Sequence, residues 1–430
     1  MNVFDPMVPT KFSGGDVVCF DVRKFDSIHH DYPDTVWDLK LLHGGKNLSF
    51  ERVAFNVLGD DARGLWDLKE RVKSQLKAAS NAGIDVKSSS MSNLVDGELW
   101  SEYIDFRRRA MLMMVKDKHS GTPEMFEYLN LLRFRRTLNV IEEAGIMVDV
   151  RKLDELPDTE PSVLAFIGKA RKNLNGSYLE TKFNANPGVT GRIGIEDGFN
   201  PMNIPHGLPR SVITSRHSGY ICVIDYNAMD FRSIVKMTEQ IDGGALQKSF
   251  HGCRDFHART AELLFQDPFR RDEVKAFLYP LFYGGGIDTV AAKGGFSIQR
   301  AKELDGLFRE KLPEVFELKV KLEEMAKKTG YVVLPTGRKI KVDDPAKAFA
   351  LAGQSMSSDV FREALNSVVE LLKERCSKVI FTVHDEIVID LHPSEVNIVD
   401  EISNLMREPI SGYHYEVKHK MGRNYAEASK

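Results

Sequence analysis

Two acidic residues that close short apolar runs place the strongest constraint on the fold of this chain. Residues 220–225 (YICVID) form a β-favouring run that ends at Asp225. Two further runs, 378–383 and 387–392, flank a tight turn that contains Asp385. If the three runs are neighbouring strands of one antiparallel sheet, both carboxylates meet at one sheet edge. Carboxylates are the ligands that hard divalent cations such as Mg²⁺ prefer, although each Asp taken singly is more simply explained as a turn residue.

A second pattern lies in the predicted helix 268–283. Four side chains recur at every fourth position, ~6 Å apart along the axis and drifting ~40° around it: Arg271, Lys275, Tyr279 and Tyr283. Two cations followed by two aromatic rings suit a nucleoside triphosphate, with the cations for phosphates and the rings for sugar and base. Large apolar residues occupy another face: Phe277, Leu278, Leu281 and Phe282. An ordinary amphipathic helix with a solvated face explains the helix equally well when it is taken alone.

The remainder of the chain alternates helices with short strands, which predicts an α+β fold. A polar segment rich in Gly and Pro, 171–217, is expected to be irregular. A hairpin is predicted over 331–342 around Thr336-Gly337. The other predicted helices are 121–145, 257–265, 297–328 and 352–376.

The composition is informative mainly because it excludes certain classes of protein. The 430 residues suffice for two or three domains. No apolar run approaches the ~18 residues that span a bilayer, and no signal peptide is expected from the first residues. The four cysteines form no Cys-x-x-Cys pair and are expected to be free thiols in a reducing compartment. The net charge of −3, from 59 basic and 62 acidic residues, means that contacts with phosphates must come from local basic patches.

Three segments resemble the motifs of family A (polymerase I-like) DNA polymerases. VIDYNAMDFRSI (223–234) resembles their first palm motif, and RRDEVKAFLYPLFYGGG (270–286) is similar to their fingers helix. VHDEIVID (383–390) resembles their His-Asp-Glu motif. Lesser matches fall between and around these in the family's order: 141–149, 190–205, 254–265, 330–340, 352–359 and 421–428. The resemblance covers residues 140–430 and is closer to the phage branch than to the bacterial branch.

The resemblance implies a right-hand polymerase fold of the α+β class, with a palm built on a small antiparallel sheet, helical fingers and a vestigial thumb, together with an N-terminal α/β region. Only 40 residues, 150–189, stand where the family has a much larger thumb. The implied divisions are a degenerate or partial exonuclease-like region, a connecting helix with the reduced thumb, the first part of the palm, the fingers and the second part of the palm: 1–120, 121–217, 218–250, 251–328 and 329–430.

Site roles are also implied by the resemblance. Two Mg²⁺ ions, with Mn²⁺ as a possible substitute, would be held by Asp225, Asp385 and the carbonyl of Tyr226. Lys275 would protonate the leaving pyrophosphate. The residues that would bind the dNTP are Arg271, Lys275, Tyr279, Tyr283, His257 and Asp230. The residues that would contact primer–template DNA are Arg192, Gln354, His384, Glu386 and Asn203. Asp230 stands where the family usually has Glu.

The N-terminal region resembles the family's 3′–5′ exonuclease only in part. Residues 17–28 resemble its second motif, with Asp26 as a candidate ligand, and Asp34 is a second candidate beyond this segment. Arg107 stands where the third motif needs its Asp, and no Asp-x-Glu strand precedes Asp21. An unrelated α/β cap fits these residues as well. We therefore expect no proofreading by this chain, and a separate exonuclease or processivity subunit is a candidate partner.

The predicted function is template-directed addition of dNTPs to a primer 3′-hydroxyl by two-metal nucleotidyl transfer, in the cytoplasm of a bacterium or a phage-infected cell and without a membrane partner. Two alternatives stay open. A related single-subunit RNA polymerase is disfavoured by His-Asp-Glu at 384–386 and by Tyr279. A non-catalytic, polymerase-derived DNA-binding subunit of a replisome would be marked by loss of a metal carboxylate or of Lys275, and these residues are retained.

Overall fold

The computed structural model describes two compact units of the chain. The described residues are 10–11, 17–19, 36–38, 54, 63–82, 84, 94–103, 106, 110, 122–157, 160–185 and 188–429. The first unit comprises Met1–Asn139 with Asn184–Pro187, and the second comprises Val140–Phe183 with Gly188–Lys430. Within the described ranges, every helix is too short or too polar to cross a membrane.

The first unit contains a three-stranded sheet and a long helix. The strands are β1 (Thr10–Lys11), β2 (Val17–Cys19) and β3 (Val36–Asp38). β1 runs antiparallel to β2, and β2 runs parallel to β3. Helix α1 (Arg63–Asn81) buries an apolar stripe with helical spacing, which is why it folds onto a core: Leu65, Leu68, Val72 and Leu76. The residues on which the exonuclease resemblance depends lie outside the described residues: Asp21, Asp26, Asp34 and Arg107.

Helix α2 (Thr122–Ala144) closely matches the predicted helix 121–145. The boundary between the two units falls within it, after Asn139. Gly145 ends the helix in the left-handed region, with φ +63°, where glycine meets no steric cost. In the second unit, β4 (Ile146–Met147) and helix α3 (Val150–Asp154) follow at once, and Asp149 caps α3 by accepting a hydrogen bond from Lys152 N.

The segment predicted to be a reduced thumb is small and contains short strands. Helix α4 (Pro161–Lys172) follows α3. The next strands are β5 (Leu174–Asn175), β6 (Tyr178–Leu179), β7 (Thr181–Asn184) and β8 (Gly194–Gly198). They form one sheet in the order β4-β6-β5 and one two-stranded sheet, β7-β8. The expectation of irregular structure over 171–217 was therefore wrong in part, because strands of two to five residues are too short to show a detectable alternation.

The region after strand β9 (Tyr220–Tyr226) is helical. It begins with α5 (Met229–Met237), α6 (Glu239–Asp242) and α7 (Ala245–Ser249). A group of helices in the predicted fingers region follows: α8 (Phe256–Phe265), α9 (Arg271–Phe282), α10 (Ile287–Gly294), α11 (Ile298–Lys311) and α12 (Pro313–Thr329). A 3₁₀ turn, Pro268–Arg270, precedes α9.

The predicted continuous helix 297–328 is two helices. Leu312 has φ −133° and ψ 55°, which is outside the helical region. The following Pro313 causes this break, because a proline ring excludes helical geometry from the residue before it and is well suited to the first position of the next helix. Helix α10 was not predicted, since only Val290 and Ala291 of its side chains are buried.

The last part of the chain contains a hairpin, a long helix and most of the main sheet. The hairpin β10 (Tyr331–Val333) and β11 (Lys339–Lys341) is as predicted. It is followed by α13 (Ala348–Leu371), β12 (Lys378–Val383), β13 (Glu386–Leu391), α14 (Ile398–Arg407), β14 (Val417–Gly422) and α15 (Tyr425–Ala428). Helix α13 packs against α5, α12 and α14. Gly353 permits its approach to α5, because a Cβ there would lie 2.7 Å from Ile234 Cδ1.

The main sheet has four antiparallel strands in the order β12-β13-β9-β14. The predicted neighbourhood of the 220–225 strand and the hairpin around Asp385 is therefore present, with Asp225 opposite Glu386. On its other side Asp225 lies opposite Lys418 of β14. Strand β14 was not predicted, because its sequence VKHKMG is polar and mostly exposed and lacks the alternation of a half-buried strand.

Candidate active site

The two predicted carboxylates lie at the same end of the main sheet and line one cavity of about 460 Å³. Asp225 is near the end of β9, and Asp385 belongs to the two-residue turn between β12 and β13. The pairing of β9 with β13 brings Tyr226 N to 3.4 Å from the Asp385 carbonyl oxygen. The pairing of these strands therefore brings the backbones of Asp225 and Asp385 to the same end of the sheet.

Left-handed residues other than glycine occur beside both carboxylates. His384, directly before Asp385, has φ +55°, and Ala228, three residues after Asp225, has φ +51°. This conformation costs an L-residue about 1–2 kcal/mol, so it persists where the surrounding structure imposes it. Strained backbone of this kind is concentrated at functional sites. Its presence on both sides of the carboxylates agrees with the location of the site.

The carboxylates carry more negative charge than their surroundings compensate. Burial, and after it the negative charge of Asp225, raises the pKa of Asp385 to about 7. The pKa of Glu386 is also raised to about 7, mainly by burial. A cation is already present at the edge of the cluster, where Lys418 Nζ lies 3.0 Å from Asp225 Oδ2. The cluster would therefore be stabilised by a bound cation.

The donor set fits a hard divalent cation. Two carboxylates and a backbone carbonyl supply only oxygen, which is the ligand type of Mg²⁺. Among the described residues, no group of three or more His, Cys, Asp or Glu side chains is arranged to hold a metal. A site with two carboxylates is typical of Mg²⁺, which keeps waters and takes its other ligands from substrate phosphates. Asp225, Asp385 and the Tyr226 carbonyl could hold such an ion.

The predicted stripe of helix α9 forms another wall of the same cavity: Arg271, Lys275, Tyr279 and Tyr283. Asp255 holds Arg271 in place, because its Oδ2 accepts a hydrogen bond from Arg271 Nε at 2.6 Å. Lys275 Nζ lies 5.8 Å from the centre of the Tyr279 ring, a cation–π distance. The opposite face of α9 is buried through Val274, Phe277, Leu278 and Phe282, so packing fixes which side chains face the cavity.

His257 lies behind these cations and is neutral at physiological pH. Its side chain is 5% exposed, and burial lowers its pKa to about 4, against the attraction of Asp255. The buried Nδ1 atom has no hydrogen-bond partner within the described part of the chain. A buried polar atom at a cavity wall is suited to a ligand, since an unsatisfied group there costs about 1–3 kcal/mol.

Asp230 joins two walls of the cavity. Its Oδ2 accepts hydrogen bonds from Arg192 Nη2 at 2.8 Å and from Tyr283 Oη at 2.7 Å. The pKa of Tyr283 is raised by burial and by the Asp230 charge, so the tyrosine stays a hydrogen-bond donor. This connection could not be predicted from local sequence, because the three residues are far apart along the chain.

Three predicted site residues do not line the cavity. Gln354 is half-buried on α13, and Asn203 is exposed on the 3₁₀ turn Pro201–Asn203. Glu386 accepts a hydrogen bond from Tyr425 Oη at 3.0 Å. The other predicted residues line it together: Arg192, Asp225, Tyr226, Asp230, His257, Arg271, Lys275, Tyr279, Tyr283, His384 and Asp385. Lys418 and Arg362 also line it, and sequence reasoning missed both, since an isolated basic residue carries no pattern.

Comparison with a solved structure identifies the class of fold. The chain is similar to the POL domain of Pol1 from M. smegmatis, in complex with DNA primer-template and dNTP, with a TM-score of 0.68 and 16% sequence identity over 92% of this chain and 83% of that chain. This is a polymerase domain, and the predicted α+β polymerase fold is confirmed. Residues 115–427 match the model of DNA polymerase family A, which is well over half of the chain, and the chain belongs to this family.

The relatives include phage and bacterial DNA polymerases. The chain is 32% identical to the DNA polymerase of Mycobacterium phage D29 over 193 residues, 43% of this chain and 31% of that protein. It is 27% identical to the DNA polymerase of Mycobacterium phage L5 over 335 residues, 73% of this chain and 54% of that protein. For the thermostable DNA polymerase I of Thermus aquaticus, the identity is 23% over 257 residues, 54% of this chain and 30% of that protein. The matches thus span about a third to a half of these relatives.

Proposed function

We propose that this chain extends a DNA primer on a template by adding dNTPs to the primer 3′-hydroxyl. The observation that carries the proposal is the convergence on one cavity of the carboxylate pair Asp225 and Asp385 with the cationic stripe Arg271 and Lys275. Carboxylates that fit divalent cations, opposed by cations that fit a triphosphate, are what in-line nucleotidyl transfer requires. Membership of DNA polymerase family A supports the same reaction.

The reaction forms a bond between the primer 3′-oxygen and the α-phosphorus of the dNTP and breaks the bond from that phosphorus to pyrophosphate. Two divalent ions, Mg²⁺ or Mn²⁺, held by Asp225, Asp385 and the Tyr226 carbonyl, would stabilise the charge on the attacking and leaving oxygens. Arg271 binds the triphosphate, and Lys275 gives a proton to the leaving pyrophosphate. The proton of the 3′-hydroxyl passes to solvent.

The other predicted site residues select and orient the substrates. The neutral His257 ring forms a hydrogen bond to a phosphate, so this contact does not require a charged ring. Tyr279 and Tyr283 frame the sugar and the new base pair, and Asp230, held by Tyr283, faces the sugar. Arg192 and Gln354 face the minor groove of the primer–template, where every correct pair presents acceptors. His384, Glu386 and Asn203 support the primer end and the DNA near it.

Primer extension by two single variants tests the proposal. Asp225→Asn and Asp385→Asn should each lower the extension rate by at least ~10³-fold, because each removes metal-held charge from the transition state. Binding of primer–template should change little, since the phosphate contacts lie elsewhere. Asp343→Asn is the matched control, because Asp343 is 82% exposed and pairs with Lys341 outside the cavity. Extension by either active-site variant at the control rate would refute the proposed site.

The same assay decides between the alternatives. Rapid use of ribonucleotides with rejection of dNTPs would identify an RNA polymerase. Tight binding of primer–template without any extension by the wild-type chain, in Mg²⁺ or in Mn²⁺, would identify a non-catalytic replisome subunit. The phage and bacterial relatives support action in the cytoplasm of a bacterium or a phage-infected cell.

A further inference from the structure

A short loop carries Arg192 into the cavity. Residues 188–191 form a turn in which Gly191 N donates a hydrogen bond to Gly188 O at 3.0 Å. Gly191 has φ +69°, a conformation that favours glycine. A loop of this size has few internal contacts, so the orientation of Arg192 depends on what holds the loop from outside.

Two arginines from other elements hold three successive carbonyl groups of this loop. Arg338 Nη1 donates to Val189 O at 3.0 Å, and its Nη2 donates to Thr190 O at 3.2 Å. Arg362 Nη2 donates to Gly191 O. Arg338 lies directly before strand β11, and Arg362 lies on helix α13. The backbone on the N-terminal side of Arg192 is therefore fixed by charged donors, which form stronger hydrogen bonds than neutral ones.

The Arg338 guanidinium is itself fixed. Its Nε lies 2.8 Å from Asp359 Oδ1, and both side chains are 12% exposed. Asp359 Oδ2 accepts a hydrogen bond from Thr336 Oγ1 at 2.6 Å, and Arg338 Nη2 also donates to Ser355 O at 2.9 Å. This ion pair and these hydrogen bonds together restrain the position of the Arg338 guanidinium. We call Arg338, Arg362 and Asp359 the loop clamp.

The loop and the loop clamp leave little room for a side chain at position 191, where the backbone also has a positive φ. A Cβ there would lie 3.0 Å from Arg362 Nη2 and 3.2 Å from Arg338 Nη1. Glycine at this position therefore lets both guanidinium groups reach the backbone. After the loop, Arg192 donates a hydrogen bond to Asp230, which also accepts a hydrogen bond from Tyr283.

We infer that Arg338 and Arg362 are positioning residues, which hold loop 188–192 so that Arg192 presents its guanidinium to the base pair at the primer end. The inference rests on the proposed function and adds to it a determinant of selectivity. A correct pair offers minor-groove acceptors at fixed places, so a misplaced Arg192 loses more with a matched primer end than with a mismatched one. Lysine cannot reproduce the several donors of the Arg338 fork, and its ammonium group would reach Gly191 O with a different geometry from the Arg362 guanidinium.

The experiment compares Arg338→Lys and Arg362→Lys with wild type, each alone and combined with Arg192→Ala. The kcat/KM for the next correct dNTP is measured from matched and from mismatched primer ends. We expect each lysine variant to lose about tenfold on matched ends and less than about threefold on mismatched ends. In the Arg192→Ala background the lysine variants should have no further effect, because residues that act through one another are not additive. Arg309→Lys, at an exposed ion pair on α11, is the control.

A second measurement does not depend on activity. Amide hydrogen exchange of residues 188–192 should be faster in both lysine variants, while exchange of the β9 amides stays unchanged. Equal losses on matched and mismatched ends, or losses that add to that of Arg192→Ala, would overturn the inference. Unchanged exchange in the loop would overturn it as well, even if the wild-type chain proved inactive and the proposed function failed. If Arg338→Lys does not fold, Arg362→Lys, which leaves the pair of Arg338 and Asp359 intact, gives the decision.

Discussion

At the scale of single residues, Lys418 forms an ion pair with Asp225, one of the two proposed metal ligands. Its ammonium group lies 3.0 Å from Asp225 Oδ2, and its side chain is 65% exposed. An exposed ion pair contributes little to stability, about 0–1 kcal/mol. In the proposed metal site, the same ammonium group would repel a divalent cation, and the lysine and the cation would compete for the Asp225 carboxylate.

Lys418→Met should therefore strengthen metal binding. We expect up to about a fivefold tighter affinity for Mn²⁺ in the absence of nucleotide, which corresponds to the upper range of an exposed pair. The affinity is measured by titration with Mn²⁺, followed by electron paramagnetic resonance. Lys420→Met is the control, because Lys420 lies on the same face of β14 but opposite Val223. Weaker binding by Lys418→Met would show that the lysine supports the metal ligand instead of competing with the ion.

From the raised pKa of Asp385 we can predict how the free energy of unfolding changes with pH. Between the ordinary carboxyl pKa and about 7, the folded chain keeps on Asp385 a proton that the unfolded chain has released. The folded state then binds more protons, so the free energy of unfolding falls as pH rises through this window. Glu386 contributes in the same direction.

Removing one of the two carboxyl groups should flatten this dependence. The free energy of unfolding of the wild type should fall between about pH 5 and about pH 8 when no divalent metal is present. We expect the fall for Asp385→Asn to be smaller than this by more than ~1 kcal/mol. Denaturant titrations at several pH values give the slopes. Parallel slopes for the two proteins would mean that Asp385 is not protonated in the folded state.

At the scale of elements, Asp255 connects helix α8 with helix α9. Its Oδ1 caps α8 by accepting hydrogen bonds from His257 N and Ala258 N, both at 3.0 Å. Its Oδ2 holds Arg271 Nε. Arg271 Nη1 also donates to Asp272 Oδ1 at 2.7 Å, so Nη2 is the guanidinium atom that the proposed function leaves for a phosphate. The side chain therefore stabilises one helix and orients a functional group on the next.

Two substitutions separate these roles of Asp255. Asn is as good an N-cap as Asp, so Asp255→Asn should change the unfolding free energy by less than ~0.5 kcal/mol, whereas Asp255→Ala should cost about 1 kcal/mol. Both remove the charge that orients Arg271, so both should raise the KM for dNTP, by about three- to tenfold, with little change in kcat. Steady-state kinetics and thermal unfolding provide the two readouts. A KM that rises only in the Ala variant would assign the effect to the cap alone.

The elements also show what local sequence can predict. Residues 220–225 and the hairpin at Asp385 were predictable because apolar β-favouring runs end in turn residues, and α9 because its apolar face is regular. Pro313 is a visible signal for the break in the predicted helix 297–328. The helical spacing of the apolar residues on both sides nevertheless favoured one continuous helix. Strand β14 had no local signal, because it is a strand only by virtue of its pairing with β9. The convergence of β9, the hairpin and α9 on one cavity depends on tertiary packing, and local propensities cannot predict it.

At the scale of the whole molecule, the fold class followed from motif order, and family membership confirms it. The proposed division into palm, fingers and thumb and the assigned residue roles stay predictions. The loop clamp and the bridge from Arg192 through Asp230 to Tyr283 could not be predicted. Arg338 contacts carbonyls 149 and 148 positions away, and no local pattern marks a pair at such a separation.

The N-terminal region gives a prediction about the whole chain. We expect no 3′–5′ exonuclease activity, because a two-metal exonuclease needs several converging carboxylates and Arg107 would repel a cation where a ligand is needed. The purified chain is incubated with a mismatched primer end and Mg²⁺. Trimming that persists in Asp225→Asn but disappears in Asp26→Ala would reveal an active exonuclease site and contradict this expectation.

The place of β14 in the main sheet has a consequence for solubility. It is the last strand of the described sheet, next to β9, and a strand in that position can pair with the exposed backbone of another molecule. Lysines along such a strand disfavour pairing with a second chain, because the lysines of the two edge strands would repel one another. Lys418 and Lys420 therefore protect the sheet against self-association, and Lys418 also lines the cavity. A chain that lacks both should form concentration-dependent oligomers, which sedimentation velocity would detect.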